Sequence, residues 1–190
     1  MKLPPVILAS ASPRRADLLR QVIPEFQIMP SSAPESAPEH LSPREICLLN
    51  AHRKSRVISK RIPDALVMAA DTLVFLDLEV LGKPGDFQDA HRMLTMLQGR
   101  THQVVTGVCL LHLRAHREVL FAESTLVTFL PLDSDQIQHY LSKINPLDKA
   151  GAYAIQDHGE LIVSGISGSY SNVVGLPLER VREEMAFFEM

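Results

Sequence analysis

The segment from Val6 to Arg15 constrains the fold more than any other part of this chain. Its first residues, Val6 to Ala9, form a continuous apolar run with the length of a short buried strand. Ser10 and Ser12 favour a turn and a helix N-cap, and Pro13 suits the first helical position. The segment therefore predicts a buried strand that leads through a tight turn directly into a helix.

Two arginines, Arg14 and Arg15, fall in the first turn of that helix. A positive side chain there opposes the helix dipole and costs roughly a few tenths of a kcal/mol, so stability alone does not explain them. Free backbone amides, the hydroxyls of Ser10 and Ser12 and two guanidinium groups together suit a polyanion, most simply a chain of phosphates. The alternative is a capped helix with two solvated arginines, and the local pattern leaves both interpretations open.

The length of 190 residues fits one domain, 1–190, which can fold as two lobes and bury a sizeable core. The formal net charge of -3 argues against binding to a nucleic-acid polymer, because no basic face dominates. No apolar run approaches the roughly 18 residues that a membrane span needs, and no N-terminal signal pattern is present. Cys47 and Cys109 lie in apolar contexts and predict buried free thiols. We therefore expect a reduced, cytoplasmic location without membrane attachment.

Caps and apolar periodicity predict the other elements. Ser42 and Glu45 form a capping box that starts a helix running to about Ser59. Ala65 to Ala70 is a buried strand that ends at Asp71, and the residues that follow continue in extended form. Further expected elements are a helix at 87–98 that Asp86 caps and Gly99 ends, a hairpin of strands 102–113 and 119–130, a helix from the Asp133/Gln136 capping box to about Ile144, extended structure at 153–156 and a final helix from Leu176.

Polar residues at strand ends and turns are the candidates for chemistry. An acid at the carboxyl end of a buried strand is a common position for a functional carboxylate, which favours that role for Asp71 over a simple turn or N-cap. Glu35, in a Pro- and Ser-rich loop, and Lys54, on the helix from Pro43, are by default solvated charges. The other candidates are Ser10, Arg14, Arg15, Thr72, Lys83, Asp148, Lys149 and Gln156.

This combination of charges indicates one kind of reaction. Cations clamp phosphate oxygens, and carboxylates hold a hard divalent ion or deprotonate water, so together they suit hydrolysis of a phosphoanhydride. The GxxxxGK[ST], GxSxG and HExxH motifs are absent, as is GxGxxG after a strand. His112 and His116 bracket a predicted hairpin turn and do not indicate a metal site.

An ordered set of short motifs resembles the Maf family of nucleotide pyrophosphatases and covers nearly the whole chain. The resemblance implies a cytoplasmic homodimer that releases pyrophosphate from nucleoside triphosphates with a divalent metal cation, Mg²⁺ or Mn²⁺. It also implies the Maf/ITPase-like α/β fold, with a mixed β-sheet flanked by helices and two lobes around a central cleft. The motifs are Ser10-Ala11-Ser12-Pro13-Arg14-Arg15, Ala70-Asp71-Thr72, Leu81-Gly82-Lys83-Pro84, Gly99-Arg100-Thr101-His102, Thr106-Gly107-Val108, Asp148-Lys149-Ala150-Gly151-Ala152-Tyr153, Ile155-Gln156 and Val174-Gly175-Leu176-Pro177.

The resemblance also implies roles for the matching residues. Asp71 resembles the general base that activates water for attack on the α-phosphorus, and Glu35 falls at an acidic loop position that would hold the metal with Asp71. The residues implied to bind phosphate are Ser10, Arg14, Arg15, Lys54 and Lys83. We expect Arg14, Arg15 and Lys83 to lie at the surface and to contribute to function rather than to stability.

Three positions separate branches of the family by substrate. The branch that acts on 7-methyl-GTP has Trp, Gln and Glu where this chain has Arg14, Thr72 and Gln156. All three residues here resemble the branch that acts on dTTP and UTP. Three alternatives remain: a house-cleaning enzyme for modified pyrimidine nucleotides, preference for another nucleotide such as 7-methyl-GTP or CTP, and a nucleotide-binding regulator without turnover. Asp71 and Lys83 argue against the last of these.

Two residues depart from the family pattern. Asn145 replaces a Glu that usually precedes Pro146, and Asp157 replaces a Gly that usually follows Gln156. Asp tolerates the left-handed backbone region better than most residues, so we expect Asp157 to preserve the turn there. Its carboxylate, next to Gln156, would weaken the binding of an anionic substrate.

Overall fold

The computed structural model describes residues 3–77 and 79–189, and this part of the chain has the predicted α/β class. Short 3₁₀ turns at Ala150–Ala152, Gly159–Leu161 and Ala186–Phe188 complete the elements. The strands are β1 (Val6–Leu8), β2 (Gln27–Ile28), β3 (Leu66–Leu76), β4 (Glu79–Leu81), β5 (Thr101–His112), β6 (Arg117–Phe129) and β7 (Val163–Ser167). The helices are α1 (Pro13–Arg20), α2 (Pro43–Ser59), α3 (Phe87–Leu97), α4 (Ser134–Leu141), α5 (Tyr170–Val174) and α6 (Leu178–Met185).

The strands form one mixed sheet. Its order is β2-β1-β3-β5-β6-β7, and β4 pairs with β3 outside this path. Strand β1 runs parallel to both β2 and β3, with Ile7 opposite Val67 in β3, whereas β4 is antiparallel to β3 and β7 is antiparallel to β6. Parallel neighbours need a crossover connection, and α1 and α2 supply it on the way from β1 to β2 and from β2 to β3. Strand β3 lies between β1 and β5 in the sheet, and α2 comes immediately before it in the chain.

Local capping signals fix the start of several helices. Helix α2 has the predicted bounds, because the Ser42 hydroxyl accepts from the Glu45 amide and the Glu45 carboxylate accepts from the Ser42 amide. Asp133 and Gln136 form the same reciprocal pair at α4, and Asp86 caps α3. Helix α1 has Pro13 in its first turn as predicted, but the Ser12 side chain makes no capping bond.

Three predicted segments differ from the structure. Strand β3 does not end at Asp71 but continues through it to Leu76, so that the extended structure predicted after Asp71 belongs to the same strand. The extended structure predicted for 153–156 holds at Tyr153, whose backbone is extended, but a turn covers 155–158, where the Asp157 amide donates to the Ala154 carbonyl over 3.3 Å. The left-handed residue of that turn is His158, with φ of 58°, and not Asp157. Helix α4 ends at Leu141 rather than near Ile144.

The chain divides into two compact units, each with its own core. The first unit contains Met1–Asp71, Thr106–Glu123 and Gly175–Met190, and the second contains Thr72–Val105 and Ser124–Val174. That residues 1–190 act as a single domain stays a prediction. In the first unit, Cys47 and Cys109 are buried and form no disulfide within the described residues, as predicted. The core of the second unit includes Leu94, Leu97, Phe129, Tyr140 and Tyr153.

A histidine lies inside the core of the second unit. His102 is 2% exposed, and its Nε2 lies 2.8 Å from the hydroxyl oxygen of Tyr153. Its ring meets those of Phe129 and Tyr153 edge to face, with centroids 4.9 and 5.4 Å away. Its Nδ1 has no hydrogen-bond partner among residues 3–77 and 79–189. Burial lowers the pKa of His102 from 6.5 to about 4, because the charged imidazolium is poorly solvated there.

We expect His102 to make the protein less stable in mild acid. The pKa in the folded state lies below the unfolded value, so the unfolded chain takes up the proton first as the pH falls. Stability is therefore complete above about pH 6.5 and is lost down to about pH 4, by about 2 kcal/mol between pH 7 and pH 5. In urea unfolding at pH 7 and pH 5, the free energy of unfolding of a His102→Phe variant should fall by about 2 kcal/mol less than that of the wild type. An exposed control, His139→Phe, should retain the wild-type loss, and equal pH dependence in all three proteins would contradict the assignment.

Candidate functional site

The turn between β1 and α1 holds the first predicted site residues. Ser10 is buried, and its hydroxyl oxygen accepts from the Ser12 amide over 3.2 Å and from Arg15 Nη1 over 3.3 Å. Arg15 Nε also donates to the Gly175 carbonyl over 2.9 Å. Arg15 is thus half-buried and held by both groups, so its removal would cost these hydrogen bonds, and its small effect on stability stays a prediction. Arg14, next to it in the first turn of α1, is half-buried too.

Asp71 is the centre of a polar cluster in the first unit. It lies within β3 and is only 5% exposed. Its Oδ1 accepts from Lys54 Nζ over 2.7 Å, and its Oδ2 accepts from Asn50 Nδ2 over 2.9 Å. Both donors come from α2, and their spacing of four residues places them on one face of that helix. The Asp71 carboxylate is thus held by one charged donor and one neutral donor. The sequence indicated Asp71 and Lys54 as candidates but not Asn50.

Lys54 connects two carboxylates. Its ammonium group lies 2.7 Å from Asp71 Oδ1 and 2.6 Å from Glu35 Oε1, and its side chain is 11% exposed. The default interpretations of Lys54 and Glu35 as independently solvated charges are therefore wrong: Lys54 is buried, and Glu35, although 56% exposed, is paired with it. The loop that carries Glu35 had no regular pattern in the sequence, but the structure brings it to Asp71.

Electrostatics join Arg15 to the same cluster. Burial lowers the pKa of Arg15 below its ordinary value, while the negative charges of Asp71 and Glu35 act in the opposite direction. An arginine remains protonated even so, because its pKa starts so high. The structure thus brings together Ser10, Arg14, Arg15, Glu35, Lys54 and Asp71 in the first unit, a mixture of fixed cations and carboxylates.

Sequence reasoning missed Asn50 and Ser36. Asn50 is 3% exposed and is hydrogen-bonded to Asp71 and to both backbone polar groups of Ser36. A signal was available, because Asn50 precedes Lys54 by one helical turn and is a polar residue among the apolar neighbours of α2. The partner loop around Ser36 gave no such signal.

Thr72, Lys83 and Gln156 belong to the second unit. Thr72 is half-buried on β3, and Lys83 is exposed in the turn after β4. Lys83 makes no hydrogen bond or ion pair with another described residue, which agrees with the expectation of a surface cation. Gln156 is also exposed, and its Nε2 lies 3.5 Å from Asp157 Oδ2. No hydrogen bond links Lys83 to Gln156 in the part of the chain that the structure describes.

A polar cavity of about 530 Å³ lies beside Gln156 in the second unit. Both departures from the family pattern, Asn145 and Asp157, line it. Asn145 Oδ1 accepts from the Leu147 amide over 3.2 Å, which is an Asx turn, so this substitution keeps the loop folded. Buried Lys149 adds to this by donating to the Asn145 carbonyl over 2.7 Å, and it pairs with Asp148 over 2.7 Å.

The candidate metal ligands are two carboxylates, Glu35 and Asp71, that share the ammonium group of Lys54. Among the described residues, no group of three or more His, Cys, Asp and Glu side chains could enclose a metal ion. Mg²⁺ is often bound by one or two carboxylates together with substrate phosphates, and this pair fits that pattern.

None of the helices within 3–77 and 79–189 is long and apolar enough to cross a membrane.

Comparison with known families decides the relationship. The model of the Maf family, described as "Maf-like protein", matches residues 5–188. This chain belongs to the Maf family. A protein of Symbiobacterium thermophilum named dTTP/UTP pyrophosphatase is 48% identical over 96% of this chain and 93% of its own length. A relative with the same name in Moorella thermoacetica is 48% identical over 96% of this chain and 94% of its own length. Another in Thermococcus kodakarensis is 47% identical over 92% of each chain.

Solved structures of two Ham1 proteins share the fold of this Maf family member. The Staphylococcus aureus protein has a TM-score of 0.54 at 16% identity and covers 94% of this chain and 98% of its own. The Coxiella burnetii protein has a TM-score of 0.52 at 12% identity and covers 97% and 100%. At such low identity the likeness concerns the fold alone, and it confirms the predicted Maf/ITPase-like α/β class.

Proposed function

We propose that this chain hydrolyses dTTP and UTP to the nucleoside monophosphate and pyrophosphate. The names of its nearly full-length relatives support this substrate pair, as do Arg14, Thr72 and Gln156 at the positions that separate the branches. The observation that carries the proposal is the buried Asp71 carboxylate, held by Lys54 and Asn50 next to the Arg15 guanidinium.

Asp71 acts in this proposal as the general base. Each of its oxygens accepts one hydrogen bond from the protein, and each retains a lone pair that can accept from a water molecule. The water oxygen bonds to the α-phosphorus while the bond from that phosphorus to the bridging oxygen breaks, and Asp71 takes the proton of the water. The products are the monophosphate and pyrophosphate, and the proton later passes to solvent.

The phosphate ligands in this proposal are the cations and the hydroxyl near the β1–α1 turn, together with Lys83, whose role the family resemblance implies. Charge-assisted hydrogen bonds from arginine and lysine to phosphate oxygens are strong and stabilise the negative charge of the leaving pyrophosphate. Arg15 is already oriented by Ser10 and Gly175, so it loses little freedom when a phosphate binds. The set is Ser10, Arg14, Arg15, Lys54 and Lys83.

Glu35 and Asp71 would hold the divalent cation, Mg²⁺ or Mn²⁺, together with substrate phosphates. When bound, the ion neutralises phosphate charge and withdraws electrons from phosphorus. Lys54 is shared by both carboxylates in the structure, and in this proposal its long side chain turns to a phosphate when a cation takes its place. We also propose that the protein is cytoplasmic. As its assembly we propose a homodimer, and sedimentation of the purified chain would test that oligomeric state.

A substrate panel tests the proposal. Purified protein is assayed for pyrophosphate release with Mg²⁺ or Mn²⁺ on dTTP, UTP, CTP, 7-methyl-GTP and C5-modified pyrimidine triphosphates. We expect the highest kcat/KM for dTTP and UTP and no activity in EDTA. Higher kcat/KM for a modified pyrimidine would make the chain a house-cleaning enzyme for that nucleotide. Binding without turnover on the whole panel would contradict the proposal in favour of a regulator.

Replacing Lys83 with alanine is expected to lower kcat/KM for dTTP at least tenfold and to leave Tm unchanged. The side chain is exposed and makes no bond within the described residues, so its loss costs little stability, whereas a lost charge-assisted bond to phosphate is costly. Lys60→Ala, at an exposed position after α2, is the matched control and should have wild-type kinetics. Equal activity of the two variants would remove Lys83 from the phosphate ligands.

A further inference from the structure

We propose that Asn50 is a positioning residue that fixes the orientation of the Asp71 carboxylate; this inference rests on the proposed function, in which Asp71 is the base. Asn50 Nδ2 donates to Asp71 Oδ2 over 2.9 Å, and only 3% of Asn50 is exposed. It contacts the base from inside the protein, so its role is to hold Asp71 and not to touch the nucleotide.

The orientation of the Asn50 amide is determined by its surroundings. Its Oδ1 accepts from the Ser36 amide over 3.0 Å, and its Nδ2 donates to the Ser36 carbonyl over 3.1 Å. A flipped amide would place oxygen against the Ser36 carbonyl and the Asp71 carboxylate, and nitrogen against an N–H donor, so only one orientation satisfies every group. The second hydrogen of Nδ2 must therefore point to Asp71.

Asn50 and Lys54 divide the two oxygens of Asp71 between them. Lys54 has a long flexible side chain, already shared with Glu35, and the proposed function requires it to turn to a phosphate. Asn50 is short, buried and anchored by two bonds to Ser36. When Lys54 leaves Oδ1, Asn50 remains as the donor that prevents the carboxylate from rotating away from the attacking water.

The same amide connects Asp71 to the loop that carries Glu35, the residue before Ser36. A second link to this loop is independent of Asn50, because Arg53 Nη1 donates to the Ser36 hydroxyl over 2.6 Å. Ser36→Ala removes that second link and leaves the backbone groups that Asn50 uses. It is therefore a matched control that loosens the loop without releasing the carboxylate.

The kinetic test uses Asn50→Asp, Asn50→Leu and Ser36→Ala on the triphosphate that the wild-type protein hydrolyses best. Asn50→Asp keeps the size and the acceptor for the Ser36 amide but loses both donors, whereas Asn50→Leu loses every polar contact. We expect kcat to fall at least tenfold in both Asn50 variants, with KM within twofold of wild type, because a misplaced base affects the chemical step more than binding. Ser36→Ala should keep kcat within twofold. Wild-type kcat in Asn50→Asp, or an equal loss in Ser36→Ala, would overturn the inference.

A stability cycle tests the contact without any assay of activity. Asn50→Asp places a second carboxylate against Asp71 and should lower Tm clearly. Adding Asp71→Asn removes the repulsion and restores a donor–acceptor pair, so the double variant should regain most of that Tm. Additive changes in Tm would overturn the inference. A wild-type protein inactive on the whole panel would instead contradict the proposed function, and the cycle would still report on the contact.

Discussion

The Asp71→Asn variant is expected to lose about 10²- to 10⁴-fold in kcat, the usual contribution of a general base. The amide has nearly the same shape as the carboxylate but cannot take a proton from water. Its single oxygen can accept from Asn50 or from Lys54 but not from both as the carboxylate does, so we expect a modest loss of stability of about 1–3 kcal/mol. The fold should persist, because the residues of β3 from Leu66 to Ala70 and from Val74 to Leu76 are buried.

Steady-state kinetics together with circular dichroism would measure this change. Asp64→Asn is the matched control: Asp64 is exposed and pairs with Arg114 at the surface, so the same change in chemistry there should leave kcat unaltered. A folded Asp71→Asn protein with near-normal turnover would remove Asp71 from its proposed role.

The Gln156→Glu variant is expected to lose up to about 10⁴-fold in kcat/KM for dTTP with almost no change in Tm. Uracil and thymine present an O4 acceptor and an N3–H donor, and a Gln amide matches this edge with one donor and one acceptor. Glutamate offers acceptors only, so O4 would face a like charge and remain unpaired. Gln156 is exposed, so the new carboxylate remains solvated and its repulsion from neighbouring Asp157 costs the fold little.

Catalytic efficiencies on dTTP, UTP and 7-methyl-GTP measure this prediction. Gln138→Glu, at an exposed position of α4, adds the same charge away from the proposed base-reading residue and should leave all three values unchanged. Two results would refute the role of Gln156: a wild-type preference for 7-methyl-GTP, or dTTP hydrolysis that is indifferent to the substitution.

Local signals in the sequence predicted the elements that local interactions determine. The bounds of α2 were correct because Ser42 and Glu45 satisfy each other's backbone groups within one turn. Strand β1 and helix α1 followed from an apolar run and a proline. The same reasoning failed at the turn 155–158. There His158 has a left-handed backbone, which the local sequence did not predict.

The polar cluster was only partly predictable because long-range contacts create it. Nothing in the pattern of α2 shows that Lys54 lies 2.7 Å from a carboxylate 17 residues later, since helix periodicity identifies a face but not its partner. Asp71 was predicted as a functional carboxylate, but the donors that Asn50 and Lys54 supply to it from α2 were not. The family resemblance supplied the role of Lys54, and only the structure shows its partners.

The hydrogen bond from Arg15 to the Gly175 carbonyl spans 160 positions of the chain. During synthesis, therefore, the ribosome must add these residues before the guanidinium can meet its backbone acceptor. Until then the strand and helix around Ser10 can form locally, but Arg15 lacks one of the contacts that orient it. A nascent chain arrested before Gly175 would therefore carry every proposed acid and cation without the backbone acceptor that orients Arg15.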